Sequence, residues 1–257
     1  MAPGPSESEV SALLDAAASA ASEALSRHRA ANAGVGALRA KGERPGQYRL
    51  DLVADEAVLG VLGQAGVGVL SEESGLTRGD AELVVVVDPV DGSTNASRGI
   101  PWYASSLCAL DAEGPWVALV VNLATGTRYT AVRGMGAWRD GEAIQAAETT
   151  EMADSLVVLN GIAPYLGWRQ YRSLGATALD ICAVADGSVD ATIDCTFDAL
   201  GPWDWMGAML VLTESGGHIA DVHGRDLVVL DHEARRTPVS ACTPELHEAA
   251  LAARKVD

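Results

Sequence analysis

The chain has 257 residues, of which 48% are hydrophobic, and its 35 acidic and 18 basic residues give a net charge of -17. This length fits one large domain or two that share a core, and the apolar content excludes a disordered chain. A surface this negative repels nucleic acid and anionic membranes, so an enzyme of this charge that acts on phosphates needs cations at its site.

The four cysteines are far apart and include no Cys-x-x-Cys pair. This spacing argues against a zinc site. The first residues lack the apolar core of a signal sequence, and no apolar run is long enough to cross a bilayer. We therefore expect a cytoplasmic protein with neither a membrane nor a nucleic-acid partner.

The N-terminal segment predicts two helices. Apolar residues recur at helical spacing over residues 6–31, where Ser6 and Glu9 can form a capping box. Residues 37–49 are polar and contain glycine, which predicts a loop, and a second amphipathic helix is expected over residues 52–64. Two helices that precede any strong strand are expected to pack as a pair on one face of a sheet.

The central motif is a buried strand with acidic residues at its carboxyl end. Val84–Val87 are four β-branched residues in a row, and the strand is expected to end at Asp88-Pro89 because proline has no N–H for the ladder. Asp91-Gly92 then turns the chain, and Ser93-Thr94-Asn95 are good helix N-cap residues. Carboxylates bind Mg²⁺ and free helix N–H groups bind phosphate, so the segment offers both halves of a metal-assisted phosphate site. The alternative is an ordinary strand stop followed by a turn.

A second acidic pair, Glu72-Glu73, follows the short apolar strand that is expected at Val67–Leu70. Adjacent glutamates are more often a solvated turn than a site. If this strand ends at the same sheet edge as the central strand, however, one of the two glutamates lies near Asp88 and Asp91.

The middle of the chain predicts an antiparallel meander that ends in a glycine-rich hairpin at residues 134–138. The strands of the meander are expected at residues 105–110, 117–122 and 128–132. Another strand is expected at residues 155–159. We place a boundary near Met152, between an N-terminal α+β half (residues 1–151) and a C-terminal α/β half (residues 152–257) of a single compact unit.

The C-terminal half predicts a helix over residues 175–185 and a short strand that ends at Asp194. Pro202 and Asp204 then suit the first turn of a strongly apolar helix that stops at Gly216-Gly217. Short strands at residues 218–221, 227–230 and 238–241 and a last helix over residues 244–254 complete the chain. The sequence contains neither a Gly-x-Ser-x-Gly elbow nor a Walker-type Gly-Lys-Ser/Thr, so serine-hydrolase and P-loop chemistry have no support.

Three acidic segments, in this order, resemble the inositol monophosphatase family: Glu72-Glu73, Asp88-Pro89-Val90-Asp91-Gly92-Ser93-Thr94, and Trp203-Asp204 with the trailing Glu214-Ser215-Gly216-Gly217. The resemblance extends from about Ser6 to Ala252, and Gly99-Ile100-Pro101-Trp102 also fits it. It implies the α/β (α+β) class, as a layered α-β-α-β-α sandwich of the inositol monophosphatase and fructose-1,6-bisphosphatase type. It also implies hydrolysis of a phosphate monoester with two or three Mg²⁺ ions per site.

The resemblance also assigns the metal ligands and catalytic residues. Carboxylates of Glu72, Asp88, Asp91 and Asp204 bind the metal, together with the backbone carbonyl of Val90. The expected mechanism is in-line attack by metal-activated water. Catalysis is assigned to Glu72, Asp91 and Ser93: Glu72 accepts the proton, and the Ser93 hydroxyl, where threonine is common in the family, orients the water.

The expected substrate contacts fall into two groups. The phosphate is cradled by the backbone N–H groups of Gly92, Ser93 and Thr94 at the helix N-terminus. The hydroxyls of the leaving alcohol are expected at Asp91, Asp194 and Asp204 and at the turn formed by Gly175, Ala176 and Thr177. Asp194 replaces the usual glutamate and the segment 195–202 is longer than usual, so the identity of the alcohol is the open question.

The leading hypothesis is a phosphatase that acts on inositol 1-phosphate. Fructose 1,6-bisphosphate, histidinol phosphate and adenosine 3′,5′-bisphosphate are rival substrates, and a regulatory or scaffold protein that keeps the fold is the non-enzyme alternative. The family commonly forms homodimers, for which we expect apolar surface in the region Leu156–Ala163.

Overall fold

The fold is given by a computed structural model, which describes residues 4–255 apart from 33, 35, 43, 45 and 163. The helices are α1 (Glu7–Ala31), α2 (Arg49–Ala65), α3 (Ser93–Arg98), α4 (Thr177–Ala185), α5 (Pro202–Glu214) and α6 (Pro244–Lys255). The strands are β1 (Gly68–Ser71), β2 (Gly75–Thr77), β3 (Val84–Asp91), β4 (Ala104–Asp111), β5 (Gly114–Asn122), β6 (Arg128–Val132), β7 (Gly136–Arg139), β8 (Glu142–Ala143), β9 (Leu156–Asn160), β10 (Gln170–Arg172), β11 (Ala191–Asp194), β12 (His218–Asp221) and β13 (Pro238–Ala241).

The strands form two sheets. The first has the order β2-β1-β3-β4-β5-β6-β7-β8, and the second has the order β10-β9-β11-β13-β12. In the first sheet β1 and β3 are parallel, and β3 to β8 are antiparallel, of which β4 to β7 form the predicted meander. In the second sheet β10, β9 and β11 are parallel, while β13 and β12 complete it in antiparallel fashion. The parallel β1–β3 pair brings the two acidic segments to one sheet edge.

The two faces of β3 contact different cores, because side chains alternate along a strand. Val85 and Val87 pack with α1 and α2, whereas Val86 packs with α4 and α5. Helices α4 and α5 contact strands of both sheets and therefore lie between them, and α6 packs against the second sheet. The layers are α1/α2, sheet, α4/α5, sheet and α6, which confirms the predicted α-β-α-β-α sandwich. The division at residues 151 and 152 stays a prediction.

The N-terminal helix pair is confirmed, with one shifted boundary. Ser6 and Glu9 form the expected capping box at α1. Helix α2 starts at Arg49 rather than at residue 52, because the Asp51 carboxylate accepts the Tyr48 N–H at 2.7 Å and caps the helix early. Asp51 consequently lies in the first turn of α2, where it is buried.

The prediction that the central strand stops at Asp88-Pro89 was wrong, since β3 continues to Asp91. The ladder with β4 is interrupted between its pairs at Asp88 and Asp91, so Pro89 and Val90 lie in a bulge-like irregularity. Proline is tolerated at such a position because no ladder hydrogen bond is required there. The irregularity turns the end of the strand without ending it.

Two further predictions need correction. Residues 227–230 form no strand, because their backbone bonds to side chains instead: the Leu227 carbonyl accepts the Trp205 indole N–H at 3.0 Å, and the Val228 N–H donates to Asp226 at 2.9 Å.

The expected apolar surface at Leu156–Ala163 is largely buried within β9. Ala163 lies outside the described residues, whereas Ile162 is 97% exposed. The short strands β2 and β10 have no alternating apolar pattern and were not predicted.

None of the described helices combines the length and the apolar character needed to cross a membrane. All four cysteines are unpaired thiols, and Cys108 and Cys182 are buried among apolar side chains, as their sequence context predicts.

The turn between β3 and α3 depends on Gly92. Its φ of 80° is in the left-handed region, where a side chain is strained. A Cβ atom at this position would lie 2.9 Å from the Ala176 Cβ and 3.0 Å from the Gly175 carbonyl oxygen. Glycine is therefore required both by the backbone conformation and by the close approach of the segment that leads into α4.

We predict that Gly92→Ala lowers the free energy of unfolding by about 2–4 kcal/mol, from the sum of a left-handed alanine and an overpacked contact. Gly99→Ala is the matched control, because Gly99 has a similar φ of 74° but nothing within 4 Å of an added Cβ. It should cost only about 1–2 kcal/mol. Equal losses in urea unfolding would show that the contact with residues 175 and 176 contributes nothing.

Candidate active site

The acidic centre forms where β1 and β3 end side by side. The register pairs Gly68 with Val84 and Ser71 with Val87, and the Glu72 N–H donates to the Val87 carbonyl at 3.3 Å. Glu72 thus follows directly at the carboxyl end of β1, next to the Asp88–Asp91 end of β3. The structure brings these acids together as the strand pattern suggested.

Asp204 reaches the same place from α5, which lies between the sheets. Pro202 is the first residue of the helix, and the Asp204 carboxylate accepts the Gly201 N–H at 2.6 Å. Asp88, Asp91 and Asp204 each offer one carboxylate oxygen, and these three atoms lie within 4.8 Å of one another. Three carboxylates at this spacing match the donor set of a hard divalent cation.

Of the adjacent glutamates, Glu72 interacts with this cluster: its side chain contacts Asp88, although it is not one of the three carboxylates that lie within 4.8 Å of one another. Glu73 is turned to the side, where its carboxylate accepts hydrogen bonds from Arg44 and Gln47. Its backbone carbonyl also accepts from Arg44 at 2.9 Å. Glu73 is therefore engaged by Arg44 and Gln47, and Glu72 is the one of the two that remains for the site.

Burial and mutual repulsion raise the pKa values of the clustered acids. Burial is the larger cause for Asp88 and Asp204, whose pKa values lie well above 3.8, and the neighbouring charges of Glu72 and Asp91 add to it. Burial, followed by the charge of Glu73, raises the pKa of Glu72 to about 8. Burial raises the pKa of Asp91 to about 7, although two backbone N–H groups oppose the rise. A bound cation would remove this repulsion.

The residues present fit Mg²⁺. The candidate ligands are all oxygen donors: the carboxylates of Glu72, Asp88, Asp91 and Asp204, together with the main chain at Val90. Val90 lies in the unpaired part of the β3–β4 ladder, and its N–H donates to Asp88 at 2.9 Å. Carboxylates that are buried together have raised pKa values in the absence of a cation, and a bound divalent cation would favour their charged forms.

Helix α3 begins directly after the acidic segment. Gly92 is its N-cap, and Ser93 and Thr94 form its first turn. N–H groups in the first turn of a helix have no intrahelical acceptor and point out along the axis. Asn95 fixes the helix by donating from its side-chain amide to the carbonyls of Trp102 and Leu174, both at 2.7 Å. The predicted phosphate contacts at residues 92–94 are therefore placed beside the carboxylates.

The turn before α4 also meets the acidic centre. The N–H groups of Thr177 and Ala178 donate to the two oxygens of Asp91 at 3.1 Å and 2.7 Å. The N-terminus of α4 thus orients Asp91 and stabilises its charged form. Gly175, with φ 84°, and Ala176 lie in the same turn, so the structure brings the predicted 175–177 contacts to the site.

Asp194 is buried at the end of β11 and lines a small cavity of about 10 Å³ with Thr177 and Asp180. Thr177 also donates to Asp91, so this cavity adjoins the acidic centre. A volume of about 10 Å³ is roughly the space for one water molecule, too little for a polyol ring. Burial raises the pKa of Asp194 to about 6, which the charge of Arg254 opposes. Its contact with substrate stays a prediction.

A larger cavity, of about 310 Å³, opens over Glu72 and Ser93, the predicted catalytic residues. This volume is at the lower end of the range for small-molecule sites, about 300–1,000 Å³. Its lining residues are Arg44, Gly46, Gln47, Asp51, Glu72, Glu73, Ser93, Trp203, His232 and Arg235.

The sequence did not reveal Asp51 as a site residue. It is 6% exposed, its Oδ1 atom has no hydrogen-bond partner among the described residues, and the nearby Ser93 hydroxyl lowers its pKa. Burial nevertheless raises that pKa to about 7. The sequence signal that could have placed Asp51 at the start of α2 was its position three residues after Tyr48, the spacing of a capping box. His232 and Arg235 follow no pattern from which the site could have been predicted.

We predict that the metal-free protein becomes more stable as the pH falls from 8 to 6. The buried Asp51 and Asp91 have folded pKa values of about 7, above the unfolded value of 3.8, so at pH 8 their repulsion and desolvation act fully against folding. Protonation of the folded state on acidification relieves this by on the order of 2 kcal/mol. Mg²⁺ should stabilise the protein most at pH 8.

The measurement is thermal unfolding in EDTA and in Mg²⁺ at several pH values, with Asp91→Asn as the comparison. The variant removes one of the raised pKa values and should flatten the EDTA profile. A wild-type melting temperature that is constant or falls between pH 8 and 6 would contradict the prediction.

A layered sandwich with an acidic centre of this kind beside a helix N-terminus defines a hydrolase of phosphate monoesters. The model of the inositol monophosphatase family matches residues 6–256, and the chain belongs to this family.

Several relatives are similar over most of their length. The chain is 33% identical to a fructose-1,6-bisphosphatase/inositol-1-monophosphatase of Archaeoglobus fulgidus, over 69% of this chain and 71% of the relative. It is 32% identical to an inositol-1-monophosphatase of Mesorhizobium japonicum, over 70% of this chain and 74% of the relative.

Solved structures share the fold. A Pyrococcus horikoshii protein described as similar to inositol-1 monophosphatase superposes with a TM-score of 0.78 at 26% identity, covering 89% of this chain and 94% of its own. The extragenic suppressor protein suhB of Bartonella henselae superposes with a TM-score of 0.81 at 24% identity, covering 96% and 98%.

Proposed function

We propose that this protein is a Mg²⁺-dependent phosphatase that hydrolyses inositol 1-phosphate to inositol and phosphate. The observation that supports this most is the approach of the Asp88, Asp91 and Asp204 carboxylate oxygens to within 4.8 Å of one another. Membership of the inositol monophosphatase family and the inositol-1-monophosphatase names of its relatives support it further. We propose two or three Mg²⁺ ions per site.

In this proposal Glu72, Asp88, Asp91, Asp204 and the Val90 carbonyl hold the metal. When bound, Mg²⁺ supplies Lewis acidity that lowers the pKa of water and offsets charge on the phosphoryl oxygens. The N–H groups of residues 92–94 hold the phosphate at the start of α3. The Thr177 and Ala178 N–H groups at the start of α4 hold the Asp91 carboxylate, which would be one of the metal ligands, in a fixed orientation.

The chain supplies the proton acceptor and orients the nucleophile. Glu72 faces the cluster and takes the proton from water. Asp51 and Ser93 line the same cavity, and the Ser93 hydroxyl is close enough to Asp51 to lower the pKa of that carboxyl, so we propose that Asp51 holds this hydroxyl in the orientation that positions the water. The proposed mechanism requires no covalent bond between the substrate and the enzyme, and it assigns no role to any of the cysteines.

Fructose 1,6-bisphosphate is the second candidate substrate. Relatives from Archaeoglobus fulgidus and Thermococcus kodakarensis are both named fructose-1,6-bisphosphatase/inositol-1-monophosphatase, at 33% and 32% identity. Arg235 in the cavity lining has no ion-pair partner among the described residues and adds positive charge that suits a more highly charged substrate, whereas Arg44 is paired with Glu73.

The proposal includes a cytoplasmic homodimer. The unpaired cysteines support a reducing compartment. Exposed Ile162, Tyr165 and Tyr171 near the β10 edge of the second sheet are apolar surface that a second copy could cover.

We predict Mg²⁺-dependent phosphate release from inositol 1-phosphate in a panel with fructose 1,6-bisphosphate, histidinol phosphate and adenosine 3′,5′-bisphosphate. Asp91→Asn should reduce kcat more than about 100-fold, because loss of a metal ligand exceeds the effect of its outer partners. Glu113→Gln, at an exposed acid in a turn, is the control. Metal binding without release from any substrate would favour the scaffold alternative.

The role of Ser93 can be tested separately. Ser93→Ala should lower kcat by about 10²–10⁴-fold, the usual contribution of positioned proton-transfer groups, whereas Ser93→Thr keeps the hydroxyl and should stay within about tenfold of the wild type. The measurement is kcat with saturating Mg²⁺ and substrate. Equal activity of the alanine and threonine variants would exclude the hydroxyl from catalysis.

A further inference from the structure

The turn that carries Glu72 is anchored by two distant parts of the chain. From α2, the Asp55 carboxylate accepts hydrogen bonds from the hydroxyls of Ser71 and Ser74, on either side of the two glutamates. From the C-terminal half, the Nε2 atom of His232 lies 2.9 Å from the Glu72 carbonyl oxygen. A carbonyl oxygen only accepts, so Nε2 carries the proton of this hydrogen bond. The main chain of Glu72 is therefore held by a residue 160 positions further along the chain.

The same histidine contacts the segment that carries Asp204. The centre of its ring lies 5.0 Å from that of Trp203, with 34° between the ring planes. Trp203 is buried and directly precedes Asp204 in the first turn of α5. His232 thus bridges the main chain of one candidate metal ligand and the residue next to another, and these two ligands come from opposite halves of the chain.

The loop that presents His232 is itself fixed by hydrogen bonds. Arg235 donates from Nη1 to the His232 carbonyl at 2.8 Å. The Glu233 N–H donates to the Asp231 carboxylate at 2.9 Å, and the Ala234 N–H donates to the Asp231 carbonyl at 3.2 Å. The imidazole therefore extends from a closed turn, which limits the positions that its ring can adopt.

His232 lines the active-site cavity together with Glu72 and Trp203, but its contacts give it no direct part in the chemistry. The Nε2–H is engaged by the Glu72 carbonyl, so this nitrogen offers no lone pair to a metal. What the ring can do from this place is to restrict the movement of its two neighbours. Groups that orient metal ligands in this way commonly determine how well the metal binds.

We propose that His232 is a positioning residue of the active site: its Nε2–H fixes the main chain of Glu72, and its ring contact with Trp203 ties that position to α5 and Asp204. This role rests on the proposed Mg²⁺-dependent phosphatase function and adds a residue to it. It also explains how a glutamate in a hairpin turn keeps a constant position relative to a ligand that arrives from a helix of the other half.

Two substitutions separate the hydrogen bond from the ring. His232→Phe keeps the aromatic contact and removes the donor, whereas His232→Gln removes the ring but places an amide N–H the same number of bonds from Cβ as Nε2. Removing the donor should raise the dissociation constant for Mg²⁺ about 10–100-fold, the usual effect of losing an outer partner of a metal ligand. The glutamine variant should recover most of this affinity. The measurement is calorimetric titration with Mg²⁺ alone.

The kinetic readout should follow the same order. Because Glu72 is also the proposed proton acceptor, His232→Phe should lower kcat for inositol 1-phosphate even at saturating Mg²⁺. Its KM should change less, since the phosphate contacts at residues 92–94 stay in place. Thermal unfolding in EDTA checks that each variant is folded.

His247→Phe is the matched control. His247 is also a half-buried histidine whose Nε2 lies close to a main-chain carbonyl, that of Val239 at 3.1 Å, and whose ring stacks on another ring, that of His218. It lies on α6 and does not line the active-site cavity. This variant should bind Mg²⁺ and turn over substrate as the wild type does, even if its melting temperature is lower.

The outcomes distinguish this role from the proposed function. A folded His232→Phe variant with wild-type Mg²⁺ affinity and kcat overturns the positioning role. So does a His232→Gln variant that is impaired as much as the phenylalanine variant, because the N–H bond then contributes nothing. A wild type that binds Mg²⁺ but hydrolyses none of the phosphate esters overturns the proposed function, while the Mg²⁺ affinities of the variants still decide whether His232 positions Glu72.

Discussion

The structure is organised around the enforced proximity of carboxylates that repel one another. Asp88 and Asp91 are buried at the end of one strand, and Asp204 joins them from a helix, with one oxygen of each within 4.8 Å of the others. Bringing like charges together in a medium of low dielectric opposes folding. The fold holds them there with backbone donors: the Gly201 N–H on Asp204, the Val90 N–H on Asp88, and two N–H groups of α4 on Asp91. The repulsion between these carboxylates therefore lowers the stability of the fold, and a bound cation would offset it.

The same constraint accounts for the local geometry around the site. The strand must turn without losing its last acid, and the irregular pairing at Pro89-Val90 achieves this while Asp91 stays on β3. The chain must then enter a helix at once, so Gly92 adopts a left-handed conformation against residues 175 and 176. The N–H groups of the first turn of α3, the proposed phosphate contacts, therefore begin directly after Asp91. One turn sets the positions of both the Asp91 carboxylate and these N–H groups.

The sequence predicted the layers and the acidic segments because both depend on local pattern. Val84–Val87 identified a buried strand, and Pro202 with Asp204 identified a helix start. The strand pattern by itself did not decide between Glu72 and Glu73, and only the family resemblance assigned Glu72, because the position of Glu73 depends on its contacts with Arg44 and Gln47, which are distant in sequence. Asp51 was missed because its role depends on a cap that moved the start of α2 to Arg49. Arg235 was missed because stacking on Trp203 is a tertiary contact that leaves no periodic trace.

Both halves of the chain contribute residues to the acidic centre and its cavity. The first sheet provides Glu72, Asp88 and Asp91 at one edge. The helices between the sheets provide Asp204 and the N–H groups that orient Asp91, and the loop after β12 provides Arg235. Because α4 and α5 contact strands of both sheets, a shift of the second sheet would move Asp204 and the Asp91 donors together. The geometry of the acidic centre therefore depends on the packing of the assembled layers and not on the acidic motif alone.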